Sequence, residues 1–241
     1  MNAIKFRLAA TGALLGAGLA VMAMPATPVA PRQAVSKTAA TPDTTQHYIK
    51  KVLAIGDSMT GWMAERLNAY GEINGFDVAT VVWDGSTISK WGSTPRLKEI
   101  IDEQKPDLIV VSLGMNELFE SNPASRLEAP VSRILEAAGK TPLLWVGPPS
   151  WPGKDKGAKL NDWLASRLGA GRFFRSFDLE IPRQSSTNPH PSRQGMEQWV
   201  DSMVKWIPGN TSLRFRSLDA PAPGRMSRGK TFVYRRLKEQ L

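Results

Sequence analysis

Five short runs punctuate the middle of the chain: "KVLAIG" (51–56), "DVATVVW" (77–83), "DLIVVSL" (107–113), "PLLWVG" (142–147) and "RFFRSFDL" (172–179). Most are almost continuously apolar. A strand with one wet face alternates apolar and polar residues, whereas a strand buried on both faces reads as these do. Between the runs lie stretches of helical spacing. Met59, Trp62, Met63, Leu67 and Tyr70 recur after the first run, and Met196, Trp199, Val200, Met203 and Trp206 after the last. Strand and helix alternating five times in about 160 residues predicts an α/β domain, a parallel sheet with helices on both faces.

The 241 residues suffice for one such domain with terminal extensions. Lys5 and Arg7 precede an apolar run from Leu8 to Met24, which reads as an export signal with cleavage near Ala23 or Ala26, or as an uncleaved N-terminal anchor. Residues 25–46 are rich in Pro, Ala and Thr and predict a disordered spacer. The folded domain is then expected over 47–207, in a periplasmic or secreted setting. The chain has no cysteine, so no disulfide supports it and no thiolate zinc site exists.

The formal net charge of +9 is unevenly placed. Residues 46–207 carry nineteen basic and nineteen acidic side chains, whereas 208–241 carry eight basic against two acidic. A basic, flexible C-terminal tail is therefore expected. Outside the cytoplasm its partners would be anionic wall polymers or lipid head groups rather than nucleic acid.

In open parallel sheets the chemistry gathers at the carboxyl ends of the strands, where strand order reverses. Polar clusters stand at four such ends: "GDS" (56–58), "DGST" (84–87), "GMNE" (114–117) and, after the fifth strand, "NPHPS" (188–192). Ser58 is either a nucleophile on a sharp turn or a helix cap. A nucleophilic serine needs a base, and of the two histidines His47 borders the spacer. His190 is therefore the candidate base, held by Pro191 at the mouth of the last helix.

"GDSMT", Gly85, "GMNE" and "HPS" occur in the order and approximate spacing of the four sequence blocks of the SGNH or GDSL hydrolases, over about Lys50 to Ile207. The chain resembles that family of esterases and lipases. The resemblance implies a flavodoxin-like three-layer α/β/α sandwich with a five-stranded parallel sheet. It implies Ser58 as nucleophile, His190 as general base, and the Ser58 N–H, the Gly85 N–H and the Asn116 amide as oxyanion donors. No cofactor and no metal are implied. Asp57 is expected to pin the turn and Glu117 to buttress its loop.

One position departs from the pattern. The family usually has Asp three residues before the histidine, and here that residue is Thr187, followed by Asn188. Three explanations are open: Asp178 or Glu180 orients His190, a backbone carbonyl does so in a Ser–His dyad, or the chain is a non-catalytic carbohydrate-binding relative. Trp62, Trp83, Trp91, Trp145 and Trp151 lie near the predicted site loops, and flat aromatic faces suit sugar rings. With the export signal and basic tail they favour an esterase removing acetyl or another small acyl group from a polysaccharide. A lipase or lysophospholipase and a polysaccharide O-acetyltransferase are the alternatives. Nucleotide-binding and zinc-protease signatures are absent from the sequence.

Overall fold

The computed structural model describes residues 47–150 and 157–228, with the backbone of Val233–Tyr234. The expected export signal and spacer, and Trp151, lie outside the described residues. The order of elements is β1 (Lys51–Gly56), α1 (Ser58–Asn74), β2 (Asp77–Val82), α2 (Ile88–Trp91), α3 (Arg96–Gln104), β3 (Leu108–Ser112), α4 (Pro123–Ala138), β4 (Leu143–Val146), α5 (Ala158–Leu168), β5 (Phe173–Phe174), α6 (Arg193–Asn210) and β6 (Val233–Tyr234).

All strands pair in parallel in the order β5-β4-β3-β1-β2-β6. The five expected strands are present, with a sixth, very short one added beside β2. The expected fifth strand is truncated, because the chain turns after Phe174 into a 3-10 turn at Ser176–Asp178. Arg175 there pairs with Asp162 and Asp178, and the buried Ser176 accepts from the Trp199 indole. These polar side chains engage local partners that a continued strand would separate.

Strand alternation sends each residue parity to one face. Leu53, Ile55, Val81, Ile109, Val111 and Trp145 pack under α2 to α5. Val52, Ala54, Val78, Val110, Leu144 and Val146 pack under α1 and α6, against Met63, Leu67, Trp199 and Met203. Two apolar layers thus sandwich the sheet, giving the three-layer α/β/α architecture. Strand order reverses at β1, between β3 and β2, so the crevice lies at the carboxyl ends of β1 and β3.

The boundary expected at residue 207, with a free tail beyond it, requires correction. Residues 211–228 lie against the α1 and α6 face, where Leu213, Phe215, Leu218 and Met226 join the core. Phe215 meets Phe76 edge-on, and the Ile49 N–H donates to the Arg214 carbonyl. The anchor is Arg66, with only 1% of its surface exposed. Its guanidinium forks onto Asp201 at 2.8 Å and donates to the carbonyls of Pro221, Ala222 and Arg225, which engages every donor it has. The tail's charge also turns inward: Arg225 pairs with Glu72 at 3.0 Å and Arg228 approaches Glu65 at 3.9 Å. A segment held through its backbone carbonyls needs little apolar periodicity, which is why it reads as tail in the sequence.

Arg66→Ala would strand the buried Pro221 carbonyl, remove the partner of Asp201 and release the half-buried contacts to the Ala222 and Arg225 carbonyls, and breaking such a partly buried pair costs up to about 3 kcal/mol. Urea unfolding should show a loss of that order, with cleavage within 211–228 becoming the first event in limited proteolysis. Unchanged stability would contradict the anchoring role.

Candidate active site

Gly56 ends β1 with φ of 157°, and an added Cβ there would overlap the Ser112 carbonyl and the Thr60 hydroxyl. Only glycine fits this approach of β1 to β3. Asp57 then caps α1: its side chain accepts from the Met59 N–H at 2.9 Å. The capping role belongs to Asp57, which frees Ser58 to project from the first turn. Burial pushes the Asp57 carboxyl up to about 7, opposed by the Met59 N–H and reinforced by Glu117 and Asp84.

Ser58 meets His190 across 132 positions of sequence, with its Oγ 2.8 Å from Nε2. His190 rides on the loop between β5 and α6. This loop is closed by Gln184 N–H to the His190 carbonyl and by Ser192 N–H to the Pro182 carbonyl, and Ser192 caps α6. Arg183 donates to the Pro189 carbonyl within the loop and to the Ser150 carbonyl beyond β4, tying the loop to that segment.

The other imidazole nitrogen, Nδ1, lies 2.7 Å from Asn188 Oδ1. The His190 backbone N–H donates to that same atom at 3.0 Å, so the atom is an acceptor, the amide oxygen. The amide nitrogen is turned away toward Gln184 Oε1 at 2.9 Å. Nδ1 therefore carries the proton and Nε2 offers its lone pair to the Ser58 hydroxyl.

Neither carboxylate proposed from sequence has this role. Asp178 is exposed and paired with Arg175, while Glu180 contributes its backbone carbonyl to Gln198. Thr187 is exposed and its hydroxyl lies with Ser185. The orienting group is Asn188, which stands in the "NPHPS" motif but outside the candidates, because the family pattern directs attention to a carboxylate. Its spacing of two before the histidine, suited to an Asx turn onto the His N–H, is the signal that points to it.

Burial holds the His190 imidazole below its usual value of 6.5; Asp84 pulls it up and Arg183 pushes it further down. The neutral base therefore persists into mildly acidic solution.

Gly85 forms the turn after β2 with φ of 65°. The Asn116 amide nitrogen lies 2.6 Å from the Ser86 carbonyl and 3.4 Å from Asp57 Oδ2. Asn116 is thus brought to the turn containing Gly85 and to the residue preceding Ser58. Glu117 ties the loop down: its carboxylate accepts from the Ile88 N–H at 2.6 Å, and burial pushes it up to about 7 against that bond. Of the five tryptophans, Trp83, Trp91 and Trp145 are buried in the core, and Trp62 stands 48% exposed beside Ser58. Among the described residues no group of three His, Asp or Glu side chains is placed to hold a metal ion.

A serine–imidazole–amide relay at a strand-order switch, beside an amide and a glycine turn, is equipped for nucleophilic acyl transfer. NMR titration should give His190 a midpoint below 6.5. Asn188→Asp, by placing a negative charge on Nδ1–H, should move the midpoint upward; a downward shift would contradict the assigned contact.

The model of the GDSL-like lipase/acylhydrolase family matches residues 36–198, more than half of the chain. A search of curated proteins gives no match. Among solved structures the chain is similar to a family 3 carbohydrate esterase of Clostridium thermocellum, with a TM-score of 0.50 and 16% identity over 65% of this chain and 94% of that one. A family 3 carbohydrate esterase of Talaromyces cellulolyticus gives a TM-score of 0.49 at 14% identity, over 66% of this chain and 99% of that one. The C-terminal catalytic domain of Streptococcus pneumoniae peptidoglycan O-acetyltransferase A gives 0.44 at 12%, over 70% and 99%.

Proposed function

The chain belongs to the GDSL-like lipase/acylhydrolase family, and from that premise we propose that it is an exported serine ester hydrolase removing small O-acyl groups, acetyl foremost, from a cell-wall or extracellular polysaccharide. The observation that carries this reading is the unbroken relay from Ser58 Oγ to His190 Nε2 at 2.8 Å and from Nδ1 to Asn188 Oδ1 at 2.7 Å. The export rests on the N-terminal sequence pattern alone.

In the proposed reaction His190 Nε2 takes the Ser58 proton as Oγ attacks the ester carbonyl. The carbonyl oxygen becomes an oxyanion, received by the N–H groups of Ser58 and Gly85 and by the Asn116 amide, which gives up its long 3.4 Å contact with Asp57 Oδ2 to do so. The C–O bond to the alcohol then breaks, and the leaving oxygen takes the proton from Nε2. Water, deprotonated by the same nitrogen, attacks the acyl-serine and releases the carboxylic acid and free Ser58.

Replacing the orienting Asp by Asn in a serine protease lowers turnover by about four orders of magnitude, because the imidazole adopts the wrong tautomer. Here the amide turns its oxygen toward the ring and its nitrogen away, so the productive tautomer is kept. What is lost is the charge assistance to the imidazolium. This orientation supports the catalytic reading over that of a relative that only binds.

The small acyl group is supported by the fold shared with a carbohydrate esterase. The test is p-nitrophenyl ester hydrolysis, acetate against octanoate. Acetate should be preferred, Ser58→Ala and His190→Ala should each abolish turnover in folded protein, and Asn116→Ala should lower it by ~100-fold or more. Activity surviving in Ser58→Ala sinks the mechanism, and preference for octanoate sinks the small-acyl reading.

A further inference from the structure

Gly61 stands inside α1, where glycine costs stability relative to alanine. Its backbone is ordinary helix, and apart from that helix an added Cβ would meet only the Val82 methyls, at 3.4 and 3.8 Å. Alanine would therefore fit. What the glycine provides is space: a cavity of about 290 Å³ begins at Ser58 and runs between α1 and β2, past Gly61, Ala64 and Val82.

Depth in this cavity follows the sequence, because α1 starts at the site and runs away from it while β2 arrives there. Gly61 and Val82 are nearest Ser58, and the buried Asn68 and Thr80 close the inner end. The polar groups along it are not open to a ligand. The Thr80 hydroxyl is covered by its surroundings, and Asn68 and Asp84 are engaged with other residues. At the rim stand the exposed indole of Trp62 and Arg228, which lies 3.9 Å from Glu65. The wall left to meet a ligand is thus mainly apolar, formed by Gly61, Ala64, Val82 and the Trp62 ring.

The position of His190 decides which half of an ester enters. The leaving oxygen takes its proton from Nε2, so the alcohol must lie against the loop that carries His190. Neither His190 nor any other described residue of that loop lines the cavity, which therefore lies on the acyl side of Ser58. We propose that this cavity is the acyl subsite, receiving a short unbranched chain along Gly61, Ala64 and Val82 and beneath Trp62. The apolar stretch from Ser58 to Ala64 covers about 9 Å of helix, room for a chain of about four to six carbons. Acetyl fills only its outer end, and a longer chain would press its tail onto Asn68 and Thr80. This assignment rests on the ester-hydrolase reading and adds to it the residues that set acyl length.

The test measures kcat/KM of the purified chain on p-nitrophenyl acetate, butyrate and octanoate. Butyrate should be hydrolysed within a few-fold of acetate, and octanoate more slowly than either. In Gly61→Ala the butyrate-to-acetate ratio should fall ~5-fold while Tm holds or rises, because the Cβ narrows the cavity and suits the helix. A merely structural glycine would leave that ratio alone. In Val82→Ala the octanoate-to-butyrate ratio should rise ~5-fold. Both changes should recur when α-naphthol replaces p-nitrophenol as the alcohol. Unchanged ratios, or changes that follow the alcohol instead of the acyl group, overturn the subsite. Ser58-dependent turnover of acetate with none of butyrate also overturns it and leaves the hydrolase reading standing, and a preference for octanoate overturns the closed inner end. If the folded chain hydrolyses no ester, the hydrolase reading fails, and fluorescence titration of Ser58→Ala with ethyl butyrate decides the subsite. An emission change that disappears when Trp62→Phe is added supports it, and no change overturns it.

Discussion

The contact between Gly56 and the Ser112 carbonyl governs the site. At the ends of β1 and β3 the backbones approach so closely that no side chain fits, and the Asp57 N–H and Thr60 hydroxyl both turn to that same carbonyl, at 3.4 and 3.3 Å. The first turn of α1 is thereby fixed to the end of β3, a few residues before Asn116. Asp57 completes the join, with one carboxylate oxygen capping the nucleophile's helix and the other near the Asn116 amide. Ser58 and Asn116 are thus placed by one arrangement of backbone, at the point where strand order reverses.

Electrostatics accounts for a neutral amide behind His190. Asp57 and Glu117 are already pushed up to about 7 by burial, Glu117 adds to the burden on Asp57, and Asp84 acts on both Asp57 and His190. A further carboxylate would raise its neighbours' values again, since like charges sharing a site disfavour one another's ionisation. Asn188 supplies the geometry without the charge. Charge-assisted hydrogen bonds are roughly twice as strong as neutral ones, so the imidazolium is less stabilised and the base more readily stays neutral.

The sheet is legible in the sequence because burial on both faces leaves uninterrupted apolar runs, and β1 to β4 fall within a residue of those runs. Strand ends then point to Ser58, Gly85, Asn116 and His190, since the architecture decides where functional loops can be. Asn188 is hidden by an assumption about chemistry: when the orienting group must be a carboxylate, Asp178 and Glu180 satisfy the assumption without satisfying the geometry. The tryptophans show a related limit. Helical periodicity gives Trp62 and Met63 the same apolar status, while in the structure Trp62 stands 48% exposed at the cavity beside Ser58 and Met63 is fully buried.

The C-terminal segment joins these themes. Residues 211–228 are sparse in apolar groups, but they supply backbone carbonyls where Arg66 can neutralise its burial, and α1 supplies Glu65 and Glu72 where the segment's arginines arrive. Farther on, β6 pairs with β2 and covers what would otherwise be an open sheet edge, the usual place for unwanted strand addition. The same course brings Arg228 to the cavity beside Ser58. The segment holds to the domain through its backbone carbonyls and through Leu213, Phe215, Leu218 and Met226, and at Arg228 it reaches the wall of the space beside Ser58.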